Sequence, residues 1–192
     1  MKPFILASQS PRRKQLLEQV HIPFFVEESR VVEQFNMEES PEEVVVSLAS
    51  QKAEEVFSRF PDHVVLGADT IVVVDQDVLG KPHDEKEAKE MLRRLSGRTH
   101  HVMTGVSIIS NEKKLSFCEI AQVTFFELTE EEISAYVHTG DPFDKAGGYG
   151  IQTNGATLVH SIRGDYFTIV GLPIARVVRA LKKEFQIISD LN

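Results

Sequence analysis

The segment of residues 7–13, Ala-Ser-Gln-Ser-Pro-Arg-Arg, places hydroxyl and guanidinium groups where a short apolar run ends and a helical pattern begins. Ser10 suits a helix N-cap, and Pro11 suits the first helical position. The free amides of the first turn and the positive end of the helix dipole then face the loop, which favours an anion. Arginine matches phosphate oxygens in bidentate fashion. The segment predicts a phosphate site; an ordinary capped helix with a solvated basic turn is the alternative.

Three further polar residues need an explanation, namely Lys52, Asp69 and Lys81. Lys52 lies four residues after Leu48 and four before Val56 in the apolar stripe of a predicted helix, so it must snorkel outward or end in a polar pocket. Asp69 follows a buried strand, where it could be a turn residue, and Lys81 could be a solvated loop residue. Together with the arginines, these residues form a set that could bind a polyphosphate and activate a water against it.

Composition excludes several classes of function. The chain has 192 residues, 42% of them hydrophobic and 26% charged, which are values of a globular protein. Its net charge of −8 argues against sequence-independent nucleic-acid binding and favours a small anionic ligand in one basic pocket. The single Cys118 excludes an internal disulfide and a cysteine zinc site. Without a signal sequence or an apolar run of roughly 20 residues, we expect no membrane segment and a cytoplasmic protein.

Local patterns predict helices and strands in alternation with long central hairpins. Capping boxes begin helices after Ser40, Asp84 and Thr129. A buried strand is expected to end at Asp69-Thr70, with a strand continuing over residues 71–74, and another strand is expected over residues 166–170. We therefore predict an α/β fold around a mixed, twisted sheet, in a single domain of residues 1–192. The glycine fingerprint of a dinucleotide site and the P-loop are both absent from the sequence.

Four motifs in order resemble the Maf family of nucleotide pyrophosphatases, named for inhibition of septum formation. They are residues 7–13, Gly67-Ala68-Asp69-Thr70, Gly80-Lys81-Pro82 with Asp84, and Lys145-Ala146-Gly147-Gly148-Tyr149-Gly150-Ile151-Gln152. The resemblance implies hydrolysis of nucleoside triphosphates to the monophosphate and pyrophosphate with a divalent metal cation, Mg²⁺ or Mn²⁺. It also implies a homodimer and an elongated two-lobed fold similar to inosine triphosphate pyrophosphatases, with the active site in the cleft.

The resemblance also implies roles for individual residues. Asp69 corresponds to the general base, and Asp69 with Glu33 to the metal carboxylates. The remaining positions correspond to substrate contacts: Ser8, Arg13, Lys52 and Lys81 for the triphosphate, and Arg12, Thr70 and Gln152 for the specificity of the branch acting on dTTP and UTP. CTP and modified pyrimidine triphosphates are further candidate substrates.

Gln152 also has a physical argument of its own. Its side-chain amide offers a donor and an acceptor, which can pair with the alternating C=O and N–H edge of uracil or thymine. The glycine that usually follows this glutamine is displaced to Gly155, so the loop beyond Gln152 is expected to differ. Tyr149 is expected to pack and not to stack on a base. His100 and His101 on one strand face opposite sides, which argues against a histidine metal site.

Alternatives remain open at this stage. Attack at the α-phosphorus releases pyrophosphate, whereas attack at the γ-phosphorus would release orthophosphate. A pyrophosphatase directed at inosine or xanthosine triphosphate is a second candidate. A third is a nucleotide-binding regulator of cell division or septum formation without significant turnover. Asp69 discriminates against the regulator, because a pure phosphate-binding site has little use for a buried negative charge.

Overall fold

A computed structural model describes residues 4–34 and 39–187, which excludes part of the acidic stretch before Ser40. These residues form seven strands and six α-helices. In chain order the elements are β1 (Phe4–Ala7), α1 (Pro11–Gln19), β2 (Phe25–Val26), α2 (Pro41–Arg59), β3 (Val64–Val74), β4 (Asp77–Leu79), α3 (Glu85–Leu95), β5 (Thr99–Ile109), β6 (Lys114–Phe125), α4 (Glu130–His138), β7 (Val159–Arg163), α5 (Tyr166–Val170) and α6 (Ile174–Phe185). Three short 3₁₀ segments lie between α4 and β7.

The strands form a mixed sheet in the order β2-β1-β3-β5-β6-β7, with β4 paired to β3. Strand β1 runs parallel to both β2 and β3, whereas the pairs β3–β4 and β6–β7 are antiparallel. Helices precede and follow the central hairpins in sequence. The predicted α/β class with a mixed sheet is therefore confirmed, and a fully parallel doubly wound sheet is excluded.

The chain divides into two units, with boundaries within β3, β5 and β6 and at the end of α5. The first unit comprises Met1–Asp69, Thr104–Glu119 and Gly171–Asn192, and the second comprises Thr70–Met103 and Ile120–Val170. In the first unit, apolar residues of β1, α2, β3 and β5 form a buried cluster. In the second unit, a larger cluster joins α3 and α4 to the ends of the central strands. The assignment of residues 1–192 to a single domain stays a prediction.

The helix starts follow local capping rules, with two corrections. Ser40 and Thr129 form complete capping boxes at α2 and α4. At α3 the Asp84 carboxylate accepts from the Glu87 amide at 2.8 Å, but the Glu87 side chain accepts from the His83 amide, so the predicted box is only half formed. At α1 Ser10 is the N-cap, yet its side chain makes no capping hydrogen bond.

Two strand predictions were wrong. The predicted strands before and after Asp69-Thr70 are one continuous strand, β3, because the buried, β-branched run on the far side keeps the chain extended. Residues 166–170 form α5 instead of a strand. The Asp165 carboxylate accepts from the amides of Phe167 and Thr168 at 3.3 and 3.0 Å, so helix capping outweighs the strand preference of these side chains.

No helix among the described residues is long and apolar enough to cross a membrane.

Candidate active site

In the first unit, the loop between β1 and α1 is organised around Arg13. Its Nε donates to the Gly171 carbonyl at 2.7 Å, and its Nη1 donates to Ser8 Oγ at 3.2 Å. Ser8 Oγ also accepts from the Ser10 amide at 3.2 Å. Both Ser8 and Arg13 are buried. These bonds fix the guanidinium against Ser8 and Gly171, and the neighbouring Arg12 is half-buried.

The electrostatics of Arg13 show which charges surround it. Burial lowers the pKa of its guanidinium below the ordinary value, and the neighbouring Arg12 acts in the same direction. The carboxylates of Asp69 and Glu33 act in the opposite direction and favour the charged form. Because an arginine stays protonated at neutral pH in any case, the loop holds a buried positive charge close to two carboxylates.

Lys52 joins the same two carboxylates. Its Nζ forms an ion pair with Asp69 and a second one with Glu33 Oε1 at 2.9 Å. The side chains of Lys52 and Asp69 are each 16% exposed, which places the pair at the edge of the core. Lys52 therefore ends in a polar pocket, and does not merely snorkel over the apolar stripe of α2.

Close packing of α2 on β3 explains why this ion pair forms. A Cβ added to Gly67 would lie 2.4 Å from the Ala49 carbonyl oxygen and 2.8 Å from the Ala53 amide nitrogen. Only a glycine facing alanines allows the helix backbone to come so near the strand. Lys52, one residue before Ala53, is thereby brought to Asp69, two residues after Gly67. This positioning role of Gly67 is an addition to the predicted site residues, and the small residues Gly67, Ala49 and Ala53 are its signal in the sequence.

In the second unit, the glycine-rich loop after α4 lies against the segment that carries Lys81. The Gly147 amide donates to the Gly80 carbonyl at 2.9 Å. Gly147 has a φ of +68°, and an added Cβ would lie 2.8 Å from a Val72 methyl carbon, so no other residue fits. Lys81 is exposed and Thr70, on β3, is half-buried.

Gln152 lies at the tip of a tight turn in this loop. The Thr153 amide donates to the Gly150 carbonyl at 3.4 Å, and Ile151 and Gln152 are the two central residues. Gln152 is exposed, so its amide faces solvent. A Cβ added to Gly155 would lie 2.5 Å from the Gly150 carbonyl oxygen, which gives the displaced glycine a structural purpose next to the turn.

The structure thus groups the predicted site residues by unit. The first unit brings together Ser8, Arg12, Arg13, Glu33, Lys52 and Asp69. The second unit contains Thr70, Lys81 and Gln152. Their roles in substrate and metal binding stay predictions.

Tyr149 and His100 belong to the core of the second unit. His100 Nε2 lies 2.8 Å from the Tyr149 hydroxyl, and both rings contact Phe125 edge-on. Burial, aided by His101, lowers the pKa of His100 to about 4, so the ring is neutral. The expected packing role of Tyr149 is confirmed. Within residues 4–34 and 39–187, no group of three or more His, Cys, Asp or Glu side chains could hold a metal ion.

Comparison with known proteins identifies the family. The family model described as Maf-like protein matches residues 3–184. This chain belongs to the Maf family. A Maf relative from Bacillus cereus (strain G9842), named dTTP/UTP pyrophosphatase, is 57% identical over 183 residues, covering 95% of this chain and 96% of its own. A Bacillus velezensis (strain DSM 23117 / BGSC 10A6 / LMG 26770 / FZB42) protein of the same name is 54% identical over 186 residues, covering 97% and 98%.

The solved structure of the Staphylococcus aureus Ham1 protein aligns with this chain at a TM-score of 0.45 and 14% sequence identity. The alignment covers 65% of this chain and 72% of the Ham1 chain.

This Maf chain has a further polar cluster beside the Gln152 turn, which was not among the predicted site residues. Tyr136 on α4, Asp141 after it and the buried Lys145 are joined by hydrogen bonds. Lys145 was noted only as part of a motif, and Tyr136 and Asp141 carry no local pattern that would reveal a shared site. Their association depends on how α4 meets the loop.

Proposed function

We propose that this protein hydrolyses dTTP and UTP to the nucleoside monophosphate and pyrophosphate. Family membership and relatives of that name, matched over nearly the whole of both chains, support the substrate class. The observation that carries the reaction is the grouping of the Asp69 carboxylate with Lys52, Arg13 and Glu33 in the first unit. A carboxylate that can accept a proton, held among groups that bind phosphate, is what hydrolysis of a phosphoanhydride needs.

The cationic side chains bind the triphosphate and offset the charge that develops during its cleavage. Arg13 is fixed by the Gly171 carbonyl and by Ser8, so its orientation is set before substrate arrives. Groups that need no reorganisation on binding contribute more to catalysis than mobile ones. Arg12 and Lys52 supply further positive charge in the first unit, and the role of Lys81 in triphosphate binding stays a prediction.

Asp69 and Glu33 suit a divalent cation. Both carboxylates pair with the Lys52 ammonium, so two hard oxygen ligands lie close to each other. Mg²⁺ commonly uses one or two carboxylates and completes its shell with water and substrate phosphates. When bound, such a cation, Mg²⁺ or Mn²⁺, offsets phosphate charge and increases the acidity of a bound water. In the proposed reaction, Asp69 orients the attacking water and accepts its proton.

Base selection is assigned to Gln152, with Thr70 and Arg12. The exposed amide of Gln152 provides one donor and one acceptor for the uracil or thymine edge. The tight turn presents this side chain on a short, defined segment. A purine edge offers a different order of donors and acceptors, so the proposal favours pyrimidine triphosphates, with CTP and modified bases as weaker candidates.

The decisive experiment is an assay across the common triphosphates and inosine triphosphate, with pyrophosphate and orthophosphate detected separately. We expect UTP and dTTP to give monophosphate and pyrophosphate, with a requirement for Mg²⁺ or Mn²⁺. Orthophosphate as the main product would exclude attack at the α-phosphorus. Tight nucleotide binding without turnover would favour the regulator of cell division instead.

Asp69→Asn tests the base directly. The amide keeps the size of the side chain and its contact with Lys52 but cannot accept the proton, so we expect a loss of about 10²- to 10⁴-fold in kcat. Binding of UTP, measured by calorimetry in the variant, should persist. Activity within a few-fold of the unaltered protein would remove Asp69 from this role.

The proposal places the enzyme in the cytoplasm, where its substrates are made and used. The homodimer stays a prediction of the family resemblance, and light scattering of the purified protein would test it.

A further inference from the structure

The two ends of the Gln152 turn are bonded to one pair of side chains. At the first end, the Gly150 amide donates to the Tyr136 hydroxyl at 3.1 Å. That hydroxyl donates to Asp141 Oδ2 at 2.7 Å. At the other end, the Thr153 hydroxyl donates to the same carboxylate oxygen. Asp141 therefore fixes both residues that flank Ile151 and Gln152: it bonds Thr153 directly and Gly150 through the Tyr136 hydroxyl.

The same carboxylate also fixes the start of the glycine-rich loop. Lys145 Nζ donates to Asp141 Oδ1 at 3.0 Å and to the Asp141 carbonyl at 2.8 Å. It also donates to Asp144 at 2.6 Å. Burial acts to raise the pKa of Asp141, but the hydrogen bonds from Thr153, Tyr136 and Lys145 outweigh it and hold the pKa below the ordinary value. Asp141 is thus a carboxylate at neutral pH, and its side chain accepts from Tyr136 on α4 and from Lys145 and Thr153 of the loop.

The loop leaves no space for side chains at the positions that touch this cluster. A Cβ on Gly150 would lie 2.4 Å from Lys145 Cε. A Cβ on Gly155 would lie 2.9 Å from the Tyr136 hydroxyl oxygen. Close backbone contact and a charged acceptor together restrict the turn to one conformation, which lowers the entropy lost when Gln152 engages a base.

We infer that Asp141 is a positioning residue for pyrimidine selection, acting through Tyr136 and Thr153 on the turn that presents Gln152. This inference rests on the proposed function, because it assumes that Gln152 pairs with the base. In this role Asp141 acts through its hydrogen bonds to Tyr136 and Thr153. Its loss should weaken base recognition, and hence raise KM for UTP and dTTP, while the chemical step at Asp69 is little affected.

The test uses Asp141→Asn, Tyr136→Phe and a matched pair at Thr153. Thr153→Val removes the hydroxyl at nearly constant volume, whereas Thr153→Ser keeps it. For Asp141→Asn and Thr153→Val we expect KM for UTP to rise about tenfold, kcat to change less than about threefold, and the preference for UTP over CTP to fall. Thr153→Ser should resemble the unaltered protein. Glu130→Gln, which breaks an exposed ion pair of α4 with Arg93, serves as a surface control.

Hydrogen exchange gives a readout independent of activity. We expect faster exchange of the loop over residues 145–155, and of the Gly150 amide above all, in Asp141→Asn and Tyr136→Phe. Unchanged KM and unchanged UTP preference in a variant whose loop exchanges faster would overturn the inference. An equal loss of kcat for every nucleotide, shared by Thr153→Ser, would also overturn it and indicate a merely structural role.

Failure of the proposed function would look different. In that case the unaltered protein would not turn over any triphosphate. Calorimetric binding of UTP against CTP would then replace the kinetic constants, and an unaltered binding preference in Asp141→Asn would refute the positioning role.

Discussion

Replacement of Lys52 by methionine separates the two parts of this side chain. The methionine keeps an unbranched apolar stem within the stripe of α2, so packing is largely retained. It removes the ammonium that pairs with both Asp69 and Glu33. Any loss of stability or affinity in Lys52→Met therefore reports on the charge and not on the core.

The structure sets the size of the effect on stability. Breaking a fully buried pair costs about 3–5 kcal/mol, and an exposed pair contributes about 0–1 kcal/mol. The side chains of Lys52 and Asp69 are 16% exposed and that of Glu33 is 46% exposed, so this network lies between the two limits. Arg13 still faces the carboxylates in the variant. We expect a loss of about 2 kcal/mol, or a fall in Tm of about 4–8 °C for a chain of this length.

Urea and thermal unfolding, both in the presence of EDTA, would measure this loss. Steady-state kinetics would measure the second effect, an increase in KM for UTP of about tenfold or more, because a charged contact to phosphate is lost. Lys114→Met is a matched control, since it breaks an exposed pair with Glu54 of the same helix and should change stability by less than about 0.5 kcal/mol. If Lys52→Met lowers Tm but leaves KM unchanged, Lys52 stabilises the carboxylates and does not bind phosphate.

Three further predictions follow from other residues. Gln152→Glu places a carboxylate against a base carbonyl, so we expect kcat/KM for UTP and dTTP to fall roughly ten- to a hundredfold, or about 1–3 kcal/mol, and kcat/KM for CTP to fall less. Equal losses for all three nucleotides would refute base recognition. Burial lowers the pKa of His100 to about 4, so the unfolded chain takes up a proton at a higher pH than the folded chain does. We therefore expect the free energy of unfolding to fall by about 3 kcal/mol as the pH drops from 6.5 to 4. Urea titrations of His100→Gln should show a smaller fall. Gly67→Ala adds a Cβ 2.4 Å from the Ala49 carbonyl oxygen, so we expect a loss of about 1–3 kcal/mol in unfolding free energy together with lower kcat/KM.

Features governed by neighbours in sequence could be predicted. The starts of α2 and α4 follow from a hydroxyl at the cap, a glutamate three residues later and, at α2, a proline between them. The unusual position of Lys52 was visible because helical spacing alone places it among buried residues. In each case the deciding interaction spans four residues or fewer, so the sequence contains it in full.

Features governed by competition or by distant contacts could not be predicted. Residues 166–170 have strand-forming side chains, but the capping bonds from Asp165 are stronger local determinants than β propensity. The hydrogen bond between Tyr136 and Gly150 connects a helix to a loop, and the local sequence of neither segment predicts this contact. Glu33 was predicted at the site only through the family resemblance, because its ion pair with Lys52 joins an irregular stretch to a helix.

The geometry of the candidate catalytic pair depends on residues without reactive groups. Asp69 and Lys52 meet because α2 touches the backbone of β3 at Gly67, where any side chain would force the helix away. The same principle applies at the glycine-rich loop, where Gly150 and Gly155 let the turn lie against Lys145 and Tyr136. A methyl at Gly67 would lie 2.4 Å from the Ala49 oxygen, so α2 would have to move away by about 1 Å to restore ordinary contact. That shift would weaken the close ion pair between Lys52 and Asp69. The Gly-Ala-Asp-Thr motif therefore contributes both a reactive group and the packing that positions it. Its glycine lets α2 approach β3 closely, and this approach places Lys52 beside the aspartate of the motif.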